Sequence, residues 1–320
     1  MSDLDVFLQQ LLTGLSNGTI LALIAIGYTM VYGIIELINF AHGDLFMLGN
    51  FFALTLVGVC GFAAADAGGG NNFAAVAVLL CSTPLFCAAV NWTIDRLAYQ
   101  PLRRSSRLAP LVSAIGVSFI LMNIGLFWGG LPLEVFGFGK APSSWKSFPA
   151  LLSNDNLLGD SVIYFSAKDL LVFVVTVPLL VALTIFVKYT RTGKAMRAVA
   201  QNPTAAELMG IDTNKIIGRT FILGGMLGGV ASVVNALYNN SLHFQMGFRV
   251  GMDAFTAAVL GGIGNLPGAM LGGIAIGIIR AMSDQYVATQ WTNSVVFLIL
   301  IMVLVFRPSG LLGARVREKV

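Results

Sequence analysis

Nine apolar stretches, near residues 12–34, 44–62, 73–94, 109–128, 169–187, 220–238, 252–266, 268–287 and 292–306, dominate this chain. A segment that crosses the hydrocarbon core of a bilayer needs about 20 mostly apolar residues in a helix, because no water is present there to satisfy its backbone N–H and C=O groups. The other way to close every backbone bond, a β-barrel, would show alternating segments of about ten residues instead. The chain therefore reads as an all-α, polytopic membrane protein with about eight to nine transmembrane helices, a single transmembrane domain over residues 1–320. Only 11% of its residues are charged, against roughly 25% in soluble domains. That is too little polar surface to cover such runs in water.

Basic residues then orient the spans. Most of the 19 Lys and Arg fall in three clusters: Arg96, Arg103, Arg104 and Arg107; Lys188, Arg191, Lys194, Arg197, Lys215 and Arg219; and Arg307, Arg315, Arg317 and Lys319. Nine crossings place all three on one side, which the positive-inside rule assigns to the cytoplasm. The C-terminus is expected there too. The N-terminus, with Asp3 and Asp5, is expected outside, as is the loop 129–168, where Glu134, Asp155 and Asp160 offset Lys140, Lys146 and Lys168. No Lys or Arg precedes Arg96, so the positive n-region of a cleavable signal peptide is missing. The net charge of +4 says little about nucleic acid, because the basic residues cluster beside spans, and no nucleic-acid partner is expected. Cys60, Cys81 and Cys87 lie in or beside apolar runs without zinc spacing and read as packing residues.

Glycines four apart recur: Gly224 with Gly228, Gly225 with Gly229, Gly264 with Gly268, Gly268 with Gly272, and Gly273 with Gly277. Such pairs let helix backbones approach closely in lipid. Packing within one subunit is the plainer reading; a subunit interface or a flexing helix is the other. GGIGNLPG, residues 261–268, is either a tight cytoplasmic turn or a broken, re-entrant helix, and Gly264 and Asn265 within it are candidate pathway residues. NFAHGD, residues 39–44, follows Glu36 and joins the first two spans. It reads either as a turn in which Asn39 or Asp44 caps the next helix, or as a hinge or gate using Asn39, His42 and Asp44. Arg280 with Asp284 suits an i, i+4 ion pair, and Asp253 suits Arg249.

Catalytic patterns fare poorly. GLSNG, residues 14–18, fits G-x-S-x-G, but a nucleophile elbow lies between a strand and a helix, whereas this stretch opens an apolar helix. Neither Gly–Lys pair, at 139–140 or 193–194, completes a phosphate-binding loop. His42 and His243 lack metal-ligand spacing. No metal, ATP or other cofactor is expected on this chain.

The loop 188–219 carries the most specific local pattern. Gly193 to Gln201 reads as a short helix with Arg197 facing water. Asn202 is the N-cap of a second helix, Pro203 its first residue and Gly210 its stop, before Ile211. Ala205 and Ala206 leave one face of that second helix almost bare and Glu207 puts a charge at its rim, so another protein's groove can close round it; an interfacial loop on acidic lipid is the alternative.

AAxxxG, Ala205 to Gly210, resembles the cytoplasmic coupling motif of ABC importer permeases, with Thr204 where the better-known form has Glu. ALIAIGYTMVYGIIELINFAHGD (22–44), RLAYQPLR (96–103), SAIGVS (113–118), TGKAMRAVAQNPTAAELMGI (192–211) and AFTAAVLGGIGNLPGAMLGG (254–273) resemble the H-type subunit of high-affinity branched-chain amino-acid ABC permeases. The resemblance implies a bacterial inner-membrane permease working with a second permease subunit, two ATP-binding subunits and a periplasmic substrate-binding protein on an amino-acid substrate. It implies an ATPase-coupling role for Gly193, Arg197, Asn202, Pro203, Ala205, Ala206, Glu207, Gly210 and Ile211. Two other functions stay open at this point: an ion-coupled carrier or channel, although no carboxylate falls mid-span, and an intramembrane hydrolase using Ser16.

Overall fold

The computed structural model describes residues 3–35, 39–62, 72–103, 105, 108–137, 140–159, 161–307 and 309–313. Glu36, Arg104, Arg107, Gly139, Asp160, Arg315, Arg317 and Lys319, used above, lie outside these residues. The helices in chain order are α1 (Asp3–Ile35), α2 (Ala41–Val59), α3 (Phe73–Ile94), α4 (Leu108–Trp128), α5 (Ala167–Tyr189), α6 (Arg191–Gln201), α7 (Pro203–Leu208), α8 (Thr213–Asn239), α9 (Met246–Gly261), α10 (Leu266–Ser283) and α11 (Thr292–Phe306). Two short strands, β1 (Lys146–Ser147) and β2 (Ser241–Leu242), pair antiparallel.

Seven of the helical stretches among the described residues are long and apolar enough to cross a membrane: α1, α2, α3 with its continuation to Leu102, α4, α5, α8, and α10 with its continuation to Ala288. α11 is apolar but shorter, and α9 has only 16 residues. The span expected at 252–266 thus starts earlier, at Met246, and ends at Gly261. GLSNG does not open its helix either; α1 begins at Asp3, so Ser16 lies well inside it.

α1, α2 and α8 form the enclosed centre, while α4 and α5 present most of their surface outward. Lipid tails are as apolar as leucine, so burying side chains gives little drive between these helices and close backbone contact must supply it. Glycine provides that contact. A Cβ at Gly14 would stand 2.7 Å from the Cα of Ile278, and one at Gly18 would stand 2.8 Å from the Cα of Ile274. Gly273 and Gly277 of α10 meet Ala22 and Gly18 of α1 in return. On the other flank, Gly225 and Gly229 of α8 press on Ala88 and Pro84 of α3. Gly268 and Gly272 face Gly261 and Ala257 of α9. All these contacts are internal to the chain. The pair Gly264 and Gly268 is an exception, because Gly264 stands in the turn rather than on a helix.

That turn decides the reading of GGIGNLPG. Gly262 and Gly264 take φ of +105° and +88°, a region that favours glycine. Asn265 then caps α10 by accepting from the Gly268 N–H at 3.0 Å, and Pro267 follows in the first turn. The segment is a tight hairpin turn between α9 and α10, and Asn265 also ties the C-terminal stretch to it by donating to Leu312 O at 2.6 Å.

The described basic residues of the first two clusters gather at one end of the bundle, where Arg103 donates to Asn214 at 2.5 Å, and Arg307 closes α11. Arg103 also pairs with Asp95, whose side chain is only 4% exposed. Arg103→Met should cost about 3 kcal/mol, since it strands a buried carboxylate. The denaturation midpoint in detergent checks this, and a double variant that also carries Asp95→Asn should recover most of the loss.

Two ion-pair expectations need correction. Arg280 turns from its own helix to Asp253 of α9, with Nη1 to Oδ2 at 2.5 Å, and donates to Asn293 at 3.1 Å. Asp284 instead accepts from Thr292. α10 passes into a π-helical turn at Asp284, which breaks the register that an i, i+4 pair needs. Among the cysteines, only Cys87 is buried; Cys60 and Cys81 are exposed.

Candidate functional site

At the basic end, α5 stops at Tyr189 and the chain folds into α6 and α7. Thr190 caps α6, its hydroxyl accepting from the Gly193 N–H at 3.0 Å, so the helix begins at Arg191, two residues before the expected Gly193. Gly193 itself is buried, and a Cβ there would meet the carbonyl oxygen of Phe186 at 2.6 Å. It is the close-approach point of the α5–α6 corner. Arg197 is exposed as expected, but it also reaches back to donate to Lys188 O at 3.0 Å, satisfying a carbonyl at the α5 C-terminus.

α7 matches its sequence signals closely. Asn202 accepts from the Ala205 N–H at 3.0 Å, Pro203 takes the first position, and Gly210 turns the chain with φ of +81°. Gly210→Val should therefore strain the turn by about 1–2 kcal/mol. Faster amide exchange at 209–212 would report it, with Gly210→Asn tolerated better. Asp212 caps α8. The backbone N–H of Lys215, and then its ammonium at 3.0 Å, hold the Asp212 carboxyl below the ordinary carboxylate range. A depressed pKa contributes stability above the unfolded value, about 3.9, and loses it as pH falls through the lower folded value.

The face of α7 differs from the one expected. Ala206 is buried, packed into the main apolar core, and Ala205 is exposed. Only one of the two alanines is thus available to a groove. Glu207 is exposed but engaged, accepting from the Thr213 hydroxyl at 2.5 Å, and Ile211 is half-buried, its N–H donating to Ala206 O at 3.0 Å. Ala206, Glu207 and Ile211 hold α7 onto the bundle. What projects is Leu208, 85% exposed, and Met209, 82% exposed. Neither residue stands out from sequence alone; a leucine and a methionine just before the terminal glycine of a six-residue helix are the available clue.

A second site lies inside the bundle, where α2 begins. His42 packs against Gly27 of α1 and Gly224 of α8. α1 continues for eight residues past Gly27, roughly 12 Å at 1.5 Å per residue. NFAHGD is therefore inside the bundle and not a surface turn. The N-terminus of α9 meets it there: Gly251 faces the Cα of Gly43, and Gly247 faces Asp44.

Neither Asn39 nor Asp44 caps α2, whose N-cap residue is Phe40 with no side-chain cap bond. Asn39 accepts from the Tyr99 hydroxyl at 2.7 Å, and Asp44 accepts from Ser118. Both are drawn sideways to α3 and α4. His42 stands edge-on to Tyr28, ring centroids 4.9 Å apart, and neither of its ring nitrogens has a hydrogen-bond partner. Asn39 Nδ2 and Asp44 Oδ1 are likewise unpaired. Unpaired buried polar atoms cost roughly 1–3 kcal/mol each, so this layer gains from any rearrangement that supplies partners. Gly264 and Asn265 sit apart from it, in the α9–α10 turn.

Ser16 donates to Asp169 at 2.8 Å. Asp169 also forms the capping box of α5 with Ser166. His42 contacts α1 at Gly27, eleven residues further along, about 16 Å away, while both ring nitrogens of His243 are engaged elsewhere, Nε2 with Ser143 O at 2.9 Å and Nδ1 accepting from the Gln245 N–H at 3.2 Å. Ser16 thus has a structural carboxylate partner and no imidazole base. Among the described residues no group of three His, Cys, Asp or Glu is arranged to hold a metal ion.

No solved structure matches the chain. The family model for the permease component of branched-chain amino acid transport systems matches residues 10–305. The high-affinity branched-chain amino acid transport system permease protein LivH of Escherichia coli K12 is 40% identical over 318 residues, 98% of each chain. BraD of Pseudomonas aeruginosa, described in the same words, is 40% identical over 323 residues, 100% of each. A probable branched-chain amino acid transport permease, LivM of Methanocaldococcus jannaschii, is 26% identical over 38% of this chain. With a family model over nearly its whole length and two such relatives, this chain belongs to the branched-chain amino acid transport permease family.

Proposed function

We propose that this chain is a membrane-spanning subunit of an ATP-driven importer for branched-chain or related amino acids, and that α7 couples it to an ATPase. Two ATP-binding subunits, a second permease subunit and a periplasmic substrate-binding protein complete the assembly, in a bacterial inner membrane with the basic end and C-terminus in the cytoplasm and the N-terminus outside. The observation that carries this reading is the construction of α7. A helix tied down through Ala206, Glu207 and Ile211 presents Leu208 and Met209 to the basic side. Exposed apolar side chains on an anchored helix suit a groove in a partner, and a rigid anchor lets a push there reach the bundle.

α7 leads directly into α8, which lies against His42 through Gly224. A shift of α8 therefore acts on the unpaired layer at Tyr28, His42 and Asp44. That layer is the gate in this reading, closed as it stands and relieved when its polar atoms find partners. A coupling helix transmits force only if the partner binds it differently in two nucleotide states.

Proteoliposomes containing the assembled complex should take up leucine only with ATP on the ATPase side. Uptake driven by an ion gradient through this chain alone, without ATPase subunits, would overturn the proposal.

A further inference from the structure

A cavity of about 450 Å³ opens at the end of the bundle opposite the basic clusters, between α1, α8, α9 and α10. Pockets for small ligands commonly occupy roughly 300–1,000 Å³. Its two ends differ in chemistry. The mouth is polar, and the deep end stops at Ile24 and Phe46, both fully buried. One helical turn below these residues on their own helices stand Tyr28 and His42, the layer read above as the gate.

The α9–α10 wall of the mouth holds two guanidinium groups, Arg249 and Arg280, and two carboxylates, Asp253 and Asp284. Arg280 is bound to Asp253 and to Asn293. Asp284 accepts from Thr292, and Arg249, one turn before Asp253 on α9, is exposed, lines the same cavity and has no ion-pair partner among the described residues. The facing wall supplies acceptors. Asn17 donates its amide to Thr13 O at 3.2 Å and Asn239 donates to Asn235 at 2.9 Å, which leaves the Oδ1 atoms of Asn17 and Asn239 for a cation.

A guanidinium without an ion-pair partner, opposed amide oxygens and an apolar floor are three separate demands on a ligand. A carboxylate suits the first, because guanidinium donors match its planar pair of oxygens. An ammonium suits the second and an aliphatic chain the third. We propose that this cavity binds a free α-amino acid with its carboxylate at Arg249, its ammonium at Asn17 and Asn239, and an aliphatic side chain directed at Ile24 and Phe46. The inference rests on the importer reading, and it adds the place and orientation of the substrate above the gate.

Saturation-transfer NMR on the detergent-solubilised complex, without the binding protein, tests the site with three probes: leucine, 4-methylpentanoate, which lacks the ammonium, and isoamylamine, which lacks the carboxylate. Leucine should bind at least tenfold more tightly than either analogue. Arg249→Gln should weaken leucine and 4-methylpentanoate about tenfold and leave isoamylamine unchanged, while Arg249→Lys retains most leucine binding. Elution as a single species shows that each variant is folded. Absence of leucine binding to the wild-type complex, or an Arg249→Gln variant with unchanged preference among the probes, overturns the site. ATP-driven uptake by the wild-type complex, measured separately, tests the importer reading on its own.

Discussion

Leu208→Glu should weaken association with the ATPase subunits by about 2 kcal/mol, roughly 30-fold, as expected for losing an apolar anchor at the centre of an interface. The residue is 85% exposed, so the substitution removes no packing from the chain itself. Ala205→Trp, on the same exposed helix, should abolish ATP-driven uptake by filling the space a partner's groove needs. Both variants should insert and elute like the wild type. Ala206→Trp separates docking from folding: Ala206 is buried, and overpacking there should destabilise the chain by about 1–3 kcal/mol. Pull-down of the ATPase subunits, uptake and thermal unfolding together read these outcomes. If both exposed variants keep full uptake, α7 is not the coupling element; if they lose binding to anionic vesicles but keep the ATPase, its face serves the lipid surface instead.

A second large effect is expected at the seam of α1 and α10. Gly277→Val should abolish recovery of folded protein, because a Cβ at Gly277 would stand 2.6 Å from the Gly14 carbonyl oxygen and against the backbone of Gly18. No side-chain rotamer relieves a clash with backbone, so the two helices must separate along their length. Each helix offers lipid-compatible residues elsewhere, and the expected product is an inserted but loosened bundle. Aggregation on extraction and rapid proteolysis of the α9–α10 turn would report it. Gly116→Val is the matched control, since nothing lies within 4 Å of a Cβ there, and it should behave as wild type. Wild-type yield and stability for Gly277→Val would show that the seam is not the main brace of the fold.

Much of this was legible from residues alone. Apolar run length located the long helices, and the basic clusters grouped one end of the bundle. Asn202, Pro203 and Gly210 marked α7 to within a residue, because caps and turn stops depend only on neighbours in the chain. The tight turn at GGIGNLPG, one of its two readings from sequence, is written in the same local chemistry: glycine at Gly262 and Gly264 and Asn265 as an N-cap.

What failed to show was rotation and depth. Helices as uniformly apolar as α1 or α3 have no polar stripe to say which side faces inward. Whether Ala205 or Ala206 points out is likewise set by how α7 is pinned by Glu207 and Ile211. Arg280 pairs with Asp253, 27 residues away, although Asp284 lies one turn off, because the distance between helices was fixed by glycines on α9 and α10. NFAHGD resembled a surface turn in composition, yet Gly27 and Gly224 leave room for His42 within the bundle. The sequence by itself determined what must lie in the membrane, where helices start and stop, and which end is basic, since these follow from solvation and local bonding. Tertiary structure alone decided which polar groups meet around His42 and in the cavity, since those partners are chosen by the packing of backbones that lie far apart along the chain.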